Sequence, residues 1–330
     1  DKDGTAAVGN NTGVLISSEA QYNKIGDGTV GGRNVISGNS RCGIMIRETN
    51  ANSNEVQGNY IGTKANGIEP LPNSLDGVCL DWGAKYNRIG NGTPGGRNII
   101  SGNTRHGVCL IDSSSAGNYV TSNEVLGNYI GLDKNGTAAL GNGGAGVAIE
   151  SGAQFNLIGS RESGGGNIIS GNDNHGVLIQ NSNSNEVLGN FIGTTSNGAV
   201  ALPNTQNGVY ICSNSHYNKI GNATPGEGNV ISSNGEYGVH ISSSNYNRLR
   251  GNKIGTDKTG TLRRGNTLYG ILLDNCQYNV IGGTTEAERN IISANLEGGI
   301  YFSPANSNEV LGNYIGTDVS GTADLGNEGG

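Results

Sequence analysis

The sequence predicts an all-β solenoid, a parallel β-helix of about ten rungs with three short strands in each. Three observations predict it. Gly followed by Val or Ile recurs at Gly13, Gly43, Gly77, Gly107, Gly146, Gly176, Gly208, Gly238, Gly270 and Gly299, ten positions spaced at intervals of 29 to 39 residues. Self-similarity at such a period marks stacked repeats. Each interval holds three short β-branched segments separated by Gly, Asn and Ser, too short for helices and suited to strands. Finally, 59 glycines and 48 asparagines, residues that helices avoid, make up nearly a third of the chain. With hydrophobic residues at only 33%, the apolar set must be buried efficiently, as stacked ladders allow.

In chain order, the first rung reads Val14–Ile16, Ile25 and Ile36, and the second reads Ile44–Ile46, Val56 and Ile61. Asn-x-Ile-Gly returns at Asn23, Asn87, Asn156, Asn218 and Asn279, and Asn-[Val/Ile]-Ile-Ser at Asn34, Asn98, Asn167, Asn229 and Asn290. Gly-Asn-x-Ile-Gly begins at Gly58, Gly127, Gly189, Gly251 and Gly312. The inward Ile and Val should stack at roughly 4.8 Å per rung. Turn asparagines such as Asn23, Asn54, Asn87 and Asn123 are placed to bond their counterparts one rung away, satisfying turn backbone. Glycine is expected to supply the left-handed turn conformations. The whole of 1–330 reads as one domain. Its first and last segments, DKDGTAAVGNN and TDVSGTADLGN, are the same loop without capping helices, which predicts a piece of a larger modular protein.

Composition excludes several functions. A net charge of −7 and a pI near 5.1 argue against nucleic acid, which requires a basic face. No apolar run of membrane-spanning length occurs. The five cysteines, Cys42, Cys79, Cys109, Cys212 and Cys276, show no CxxC and no metal-ligand spacing; no metal site is expected of them, and they are expected as buried thiols, with Cys79 and Cys109 near each other.

The strings NVISGN, SNEVLGNYIG and NGTAALGN resemble repeats of the right-handed parallel β-helices of the pectate-lyase-like superfamily. They are especially similar to bacterial extracellular repeat proteins and to β-helix carbohydrate-binding modules associated with xylanases. The resemblance implies a secreted or cell-surface location and a polysaccharide partner. Because it rests on scaffold residues, it carries fold further than function.

Comparing the repeats separates scaffold from site. The outward position of the second strand reads Lys24, Glu55, Arg88, Glu124, Leu157, Glu186, Lys219, Arg248, Val280 and Glu309, a solvated ion-pair ladder. The third strand turns Tyr60, Tyr129, Phe191 and Tyr314 outward. The following loops, with Leu71, Leu140, Leu202 and Leu325, are expected to cover them. The least repetitive outward positions lie on the first strand, where Trp82, Tyr210, Tyr237, His240, Tyr269, Asp274 and Tyr301 mark a candidate carbohydrate face. A competing row, Tyr22, Tyr86, Phe155, Tyr217 and Tyr278 with Ser53, Ser122 and Ser184 between, reads as packing along the turn.

For catalysis, the candidates are Asp81, Asp112 and Glu150. Asp81 and Glu150 share a column two rungs apart, roughly 9.6 Å by strand spacing, near the separation an inverting glycosidase needs. The Asn-Thr-Asp, Asp-Asp and Gly-His-Gly strings of polygalacturonase-like hydrolases do not occur, and Arg47 beside Asp81 reads as an ion-pair partner rather than a lyase base. Calcium is hinted at only by Asp1-Lys2-Asp3-Gly4 and Asp133-Lys134-Asn135-Gly136, which lack the further ligands of a calcium loop; otherwise no cofactor is expected. The favoured expectation is a non-catalytic module that binds xylan or another β-1,4-linked glycan and targets a linked enzyme to it. A polysaccharide lyase, an inverting hydrolase and a structural stalk or adhesin segment stand as alternatives.

Overall fold

The computed structural model describes residues 4–114, 117, 119–162, 165–195 and 197–328. Three ten-stranded parallel sheets run along the chain, with the strands of each sheet in rung order. The first sheet begins at Val14–Ile16 and ends at Gly298–Ser303. The second runs from Lys24–Ile25 to Glu309–Leu311, and the third from Val35–Ile36 to Tyr314–Ile315. Between them the three sheets enclose one apolar core of single-file ladders, such as Ile46, Leu80, Leu110 and Ile149 or Ile61, Ile100, Ile130 and Ile169, all fully buried. The one helical element among the described residues is the 3-10 turn Glu286–Glu288.

The glycine before each first strand has a steric cause. A Cβ on Gly146 would lie 2.4 Å from Ile169 Cγ2 and 2.8 Å from Asn172 Nδ2, so the corner is closed to any side chain. Around that corner asparagine does more than the sequence reading assigned it. Three asparagine ladders, not one, run along the molecule, one leading into each sheet. The expected ladder runs from Asn23 through Asn54 and Asn87 to Asn308. A second runs from Asn34 to Asn313. The third runs from Asn39 to Asn327. In every link Nδ2 of one asparagine donates to Oδ1 of the asparagine on the next rung, at 2.8–3.3 Å. In most links the same Oδ1 also accepts a backbone N–H, as Asn128 does from Asn98, so that turn backbone is satisfied.

Glycine does not supply all the left-handed turns. At the corner before the second sheet, Tyr22, Ser53, Tyr86, Ser122, Phe155, Ser184, Tyr217, Tyr246, Tyr278 and Ser307 all have φ between +55° and +61°. A non-glycine residue there is strained by roughly 1–2 kcal/mol, and the adjoining asparagine ladder holds the conformation. The second-sheet column forms the expected ion pairs, Lys24–Glu55 at 3.5 Å, Arg88–Glu124 at 2.9 Å and Lys219–Glu186 at 2.9 Å. All are partly solvated, so each contributes about 0–1 kcal/mol.

The third-strand aromatics are covered, as expected, but chiefly by other residues than the loop leucines. Tyr60 and Tyr129 are each only 6% exposed. Arg33 lies 4.3 Å over the Tyr60 ring and Arg97 4.1 Å over Tyr129. The loops fold back through Thr63–Pro70 and Leu132–Ala139 bridges and bring Gly67 and Gly136 against the ring edges, where a Cβ would approach within 2.7 Å. Leu202 does pack with this cluster beside Phe191.

Candidate functional site

The registers place the predicted columns of the first sheet side by side: Leu178, Tyr210 and His240 are successive partners, and Leu272 pairs with both His240 and Tyr301. Because inward Ile and Val fix the alternation of each strand, the intervening side chains must face outward. Rings consequently accumulate on rungs six to ten. His175 and Tyr210 have centroids 4.9 Å apart, Tyr210 and His240 4.7 Å, and Tyr237 and His240 5.3 Å. Tyr269 and Tyr301 stack at 5.1 Å. Gly298 makes room for that pair, since a Cβ there would lie 2.5 Å from Tyr269 Cε1. Tyr301 is 45% exposed, whereas Tyr210, Tyr237, His240 and Tyr269 are half-buried.

Polar groups border these rings. Asp274 accepts a hydrogen bond from Ser242 Oγ at 3.1 Å. His240 Nε2 is buried without a hydrogen-bond partner, and burial holds its imidazole below the ordinary pKa despite Asp274 nearby. Trp82 stands apart from this group, on the turn after the third rung's strand Val78–Asp81. It is 42% exposed, and the Arg47 guanidinium lies 4.2 Å over its ring.

The three candidate carboxylates are engaged separately. Asp81 accepts N–H bonds from Trp82 at 2.7 Å and Ser113 at 3.0 Å, and Asp112 from Ser114 at 3.0 Å. Glu150 pairs with Arg105 at 3.0 Å, while Ile111 stands between Asp81 and Glu150 in the register. Two of the three thus cap turns and the third is ion-paired. Asp133 is likewise committed to its loop, accepting from the N–H groups of Thr137 and Ala138 and from Asn135 Nδ2. Asp1, Lys2 and Asp3 lie outside the described residues.

Two groupings escaped the sequence reading. Tyr246 joins Tyr217 and Tyr278 in an exposed stack whose neighbouring rings are 5.2 Å apart and inclined by only 10°. With Lys219, Arg248 and Val280 they line a groove of about 300 Å³. Both faces of Tyr246 are covered by its neighbours, and all three rings remain exposed. The second grouping lies on rungs two to five of the first sheet. There Cys42, Asp76 and Cys79 offer ligand atoms all within 4.8 Å of one another, and all three residues are buried. Arg105 contacts Asp76 at 3.5 Å as well as Glu150. Cys109, the register partner of Cys79, donates to Glu150 across 3.7 Å. All five cysteines are free and buried. The signal was available, because the column before the glycine reads Cys42, Asp76, His106 in succession.

Fold and face together define the class: this is a right-handed parallel β-helix repeat protein. Residues 226–327 match the family described as periplasmic copper-binding protein (NosD). The chain is similar to the periplasmic alginate epimerase AlgG, at 15% identity and a TM-score of 0.50, over 84% of this chain and 58% of that one. It also resembles the A-module of the Azotobacter vinelandii mannuronan C-5 epimerase AlgE6, at 16% identity and a TM-score of 0.43, over 85% and 75% of the two chains. The enzymatically active domain of tailspike protein 2 from bacteriophage CBA120 aligns at 8% identity and a TM-score of 0.39, over 89% and 42%. The chain therefore spans less than two thirds of the epimerase AlgG. No curated protein matches by sequence. No helix among the described residues is long and apolar enough to cross a membrane.

Proposed function

We propose that the chain is a non-catalytic polysaccharide-binding module that takes a glycan lengthwise along the first sheet of rungs six to ten. The observation that carries this reading is the gathering of Tyr and His rings on successive rungs of one sheet, in the group His175, Tyr210, His240 and Tyr237 and the stacked pair Tyr269 and Tyr301, the last of them exposed. Tyr presents an apolar ring with a polar tip and loses little conformational entropy on binding. The C–H faces of pyranose rings suit such a surface, and Asp274, Gln180 and His240 stand in or beside the run to meet hydroxyls. Trp82 would extend the contact only for a chain long enough to reach the third rung. The favoured ligand is xylan or another β-1,4-linked glycan, and the module would hold a linked catalytic or surface domain against it. A location outside the cytoplasm agrees with the word periplasmic in the descriptions of both NosD and AlgG.

Native affinity electrophoresis against a panel of neutral and acidic glycans tests the reading, with reducing-end and unsaturated-product assays on the same samples. Retardation by one glycan class is expected, and Tyr237→Ala with Tyr269→Ala should weaken it at unchanged stability. Retention abolished by Tyr217→Ala with Tyr246→Ala, while the first pair has no effect, would move the site to the other face. Product that persists through repurification would replace the binding module with a lyase or hydrolase.

A further inference from the structure

We infer that Cys42, Asp76 and Cys79 form a binding site for one divalent zinc-class cation, built into the first sheet far from the aromatic run. The first argument is geometric. The two Sγ atoms and one carboxylate oxygen lie within 4.8 Å of one another. Donors on a tetrahedral zinc, with Zn–S near 2.3 Å and Zn–O near 2.1 Å, stand roughly 3.5–3.8 Å apart. Side-chain rotation of about an ångström closes that difference without moving the strands. Those strands are held by the ladder, with Gly43 N–H bonded to Asp76 O at 3.0 Å and Ile44 N–H to Gly77 O at 2.9 Å.

The carboxylate is also oriented as a ligand would be. Asp76 Oδ1 accepts the His106 N–H at 3.1 Å, which leaves Oδ2 facing Cys42 Sγ at 3.9 Å. A ligand fixed from behind by a hydrogen bond is the usual second-shell arrangement of metal sites. Arg105 lies against the same oxygen at 3.5 Å, but it holds Glu150 at the shorter distance of 3.0 Å and its side chain is half-exposed. It can therefore release Asp76 and remain paired.

Charge and donor type select the ion. Two thiols and one carboxylate combine soft and hard donors, which suits borderline Zn²⁺ better than Cu⁺, Ca²⁺ or Mg²⁺. Binding breaks two S–H bonds, sends both protons to solvent, and forms two Zn–S bonds and one Zn–O bond. No electron is transferred. Two protons leave as two positive charges arrive, so a fully buried site takes the divalent ion with no change in net charge. The segment that matches NosD, 226–327, contains none of these residues, and the inference is independent of the glycan face.

The test is equilibrium dialysis of the chelator-stripped chain against zinc chloride, with bound metal measured by mass spectrometry. About one zinc per chain is expected, and because two protons are displaced the apparent affinity should rise about a hundredfold per pH unit between about pH 6.5 and 8. Cobalt in place of zinc should show a thiolate-to-metal charge-transfer band. Cys42→Ser, Cys79→Ser and Asp76→Asn should lose stoichiometric binding, while Cys212→Ser and Cys276→Ser retain it, with far-UV circular dichroism confirming that each variant is folded. Zinc below roughly one tenth per chain, a tenfold rather than hundredfold pH response, or uptake of Cu⁺ without Zn²⁺ would overturn the inference. Equal loss in Cys276→Ser would do the same.

Discussion

Replacing Asn128 with Ala should destabilise the middle of the solenoid far more than its size suggests. The Asn128 side chain is fully buried. Its Oδ1 accepts from Asn98 N at 3.2 Å and Asn98 Nδ2 at 2.9 Å. Its Nδ2 donates to Ile89 O at 2.8 Å and to Asn167 Oδ1 at 3.1 Å. Three of these partners keep another bond: Asn98 Nδ2 with Val56 O, Ile89 O with the Leu126 N–H, and Asn167 Oδ1 with the Asn128 N–H. The Asn98 N–H loses its acceptor outright. One orphaned buried donor costs about 1–3 kcal/mol and each of the three other lost bonds about 0.5–1.5 kcal/mol, for a total of roughly 3–7 kcal/mol. Asn308, half-exposed on the tenth rung, makes a similar set of bonds, but water can replace them, so Asn308→Ala should cost about 1 kcal/mol. Urea unfolding followed by circular dichroism would measure both. Hydrogen exchange would locate the effect, because repeat arrays can unfold in parts. An Asn128→Ala variant no less stable than Asn308→Ala, or unchanged exchange on rungs three to five, would refute the claim that the ladders carry the turns.

Two further outcomes are expected. Burial pushes both His106 and His175 down to about 4, so below the unfolded value near 6.5 the unfolded chain takes up protons that the native chain refuses, and stability falls between about pH 6.5 and 4. At pH 5 each histidine should cost roughly 2 kcal/mol. Asp76, raised by burial to about 6, works in the opposite sense and restores about 1 kcal/mol. From these three groups the unfolding free energies obtained from urea titrations at pH 7 and 5 should therefore differ by roughly 2–3 kcal/mol, with the buried His240 acting in the same sense as the other two imidazoles, and a flat profile would contradict the buried neutral imidazoles. In Gly131→Ala, a Cβ at φ +88° would lie 2.3 Å from Ser170 O, so a loss of roughly 3 kcal/mol is expected. Gly117→Ala, left-handed but with open space around it, should lose only about 1 kcal/mol, both variants being measured by urea unfolding.

Positions that recur in every rung were legible from sequence as scaffold, but what their side chains bond to was legible only in part. The register of Lys24 with Glu55 and of Arg88 with Glu124 follows from counting, because one apolar column facing inward fixes every neighbour. Asn34 and Asn39 recur as faithfully as Asn23, yet their ladders were not recognised, since the same asparagines also read as ordinary turn residues. Tyr246 was passed over because it interrupts an alternation of large and small residues. Half of the Cys42–Asp76–Cys79 grouping is visible in the column Cys42, Asp76, His106, but joining Cys79 to it needs contact between neighbouring columns, which depends on side-chain rotation rather than on spacing along the chain. For the same reason Asp81 and Glu150 share a column, while Asp81 turns to nearby N–H groups and Glu150 to Arg105.

The asparagine ladders also make the molecule electrically directional. Backbone bonds between rungs run both ways, as Val14 N–H to Gly43 O and Glu55 N–H to Asn23 O show, so their dipoles largely cancel along the axis. The side-chain amides do not cancel, because every link donates toward the higher-numbered rung. An amide dipole is roughly 3.5 D, and three columns of them add head to tail. The amide columns therefore contribute a dipole that is negative toward rung one and positive toward rung ten, the reverse of the backbone dipole of an α-helix. A polysaccharide has its own sense, from reducing to non-reducing end. Laid along such an axis, its two orientations are no longer energetically equivalent.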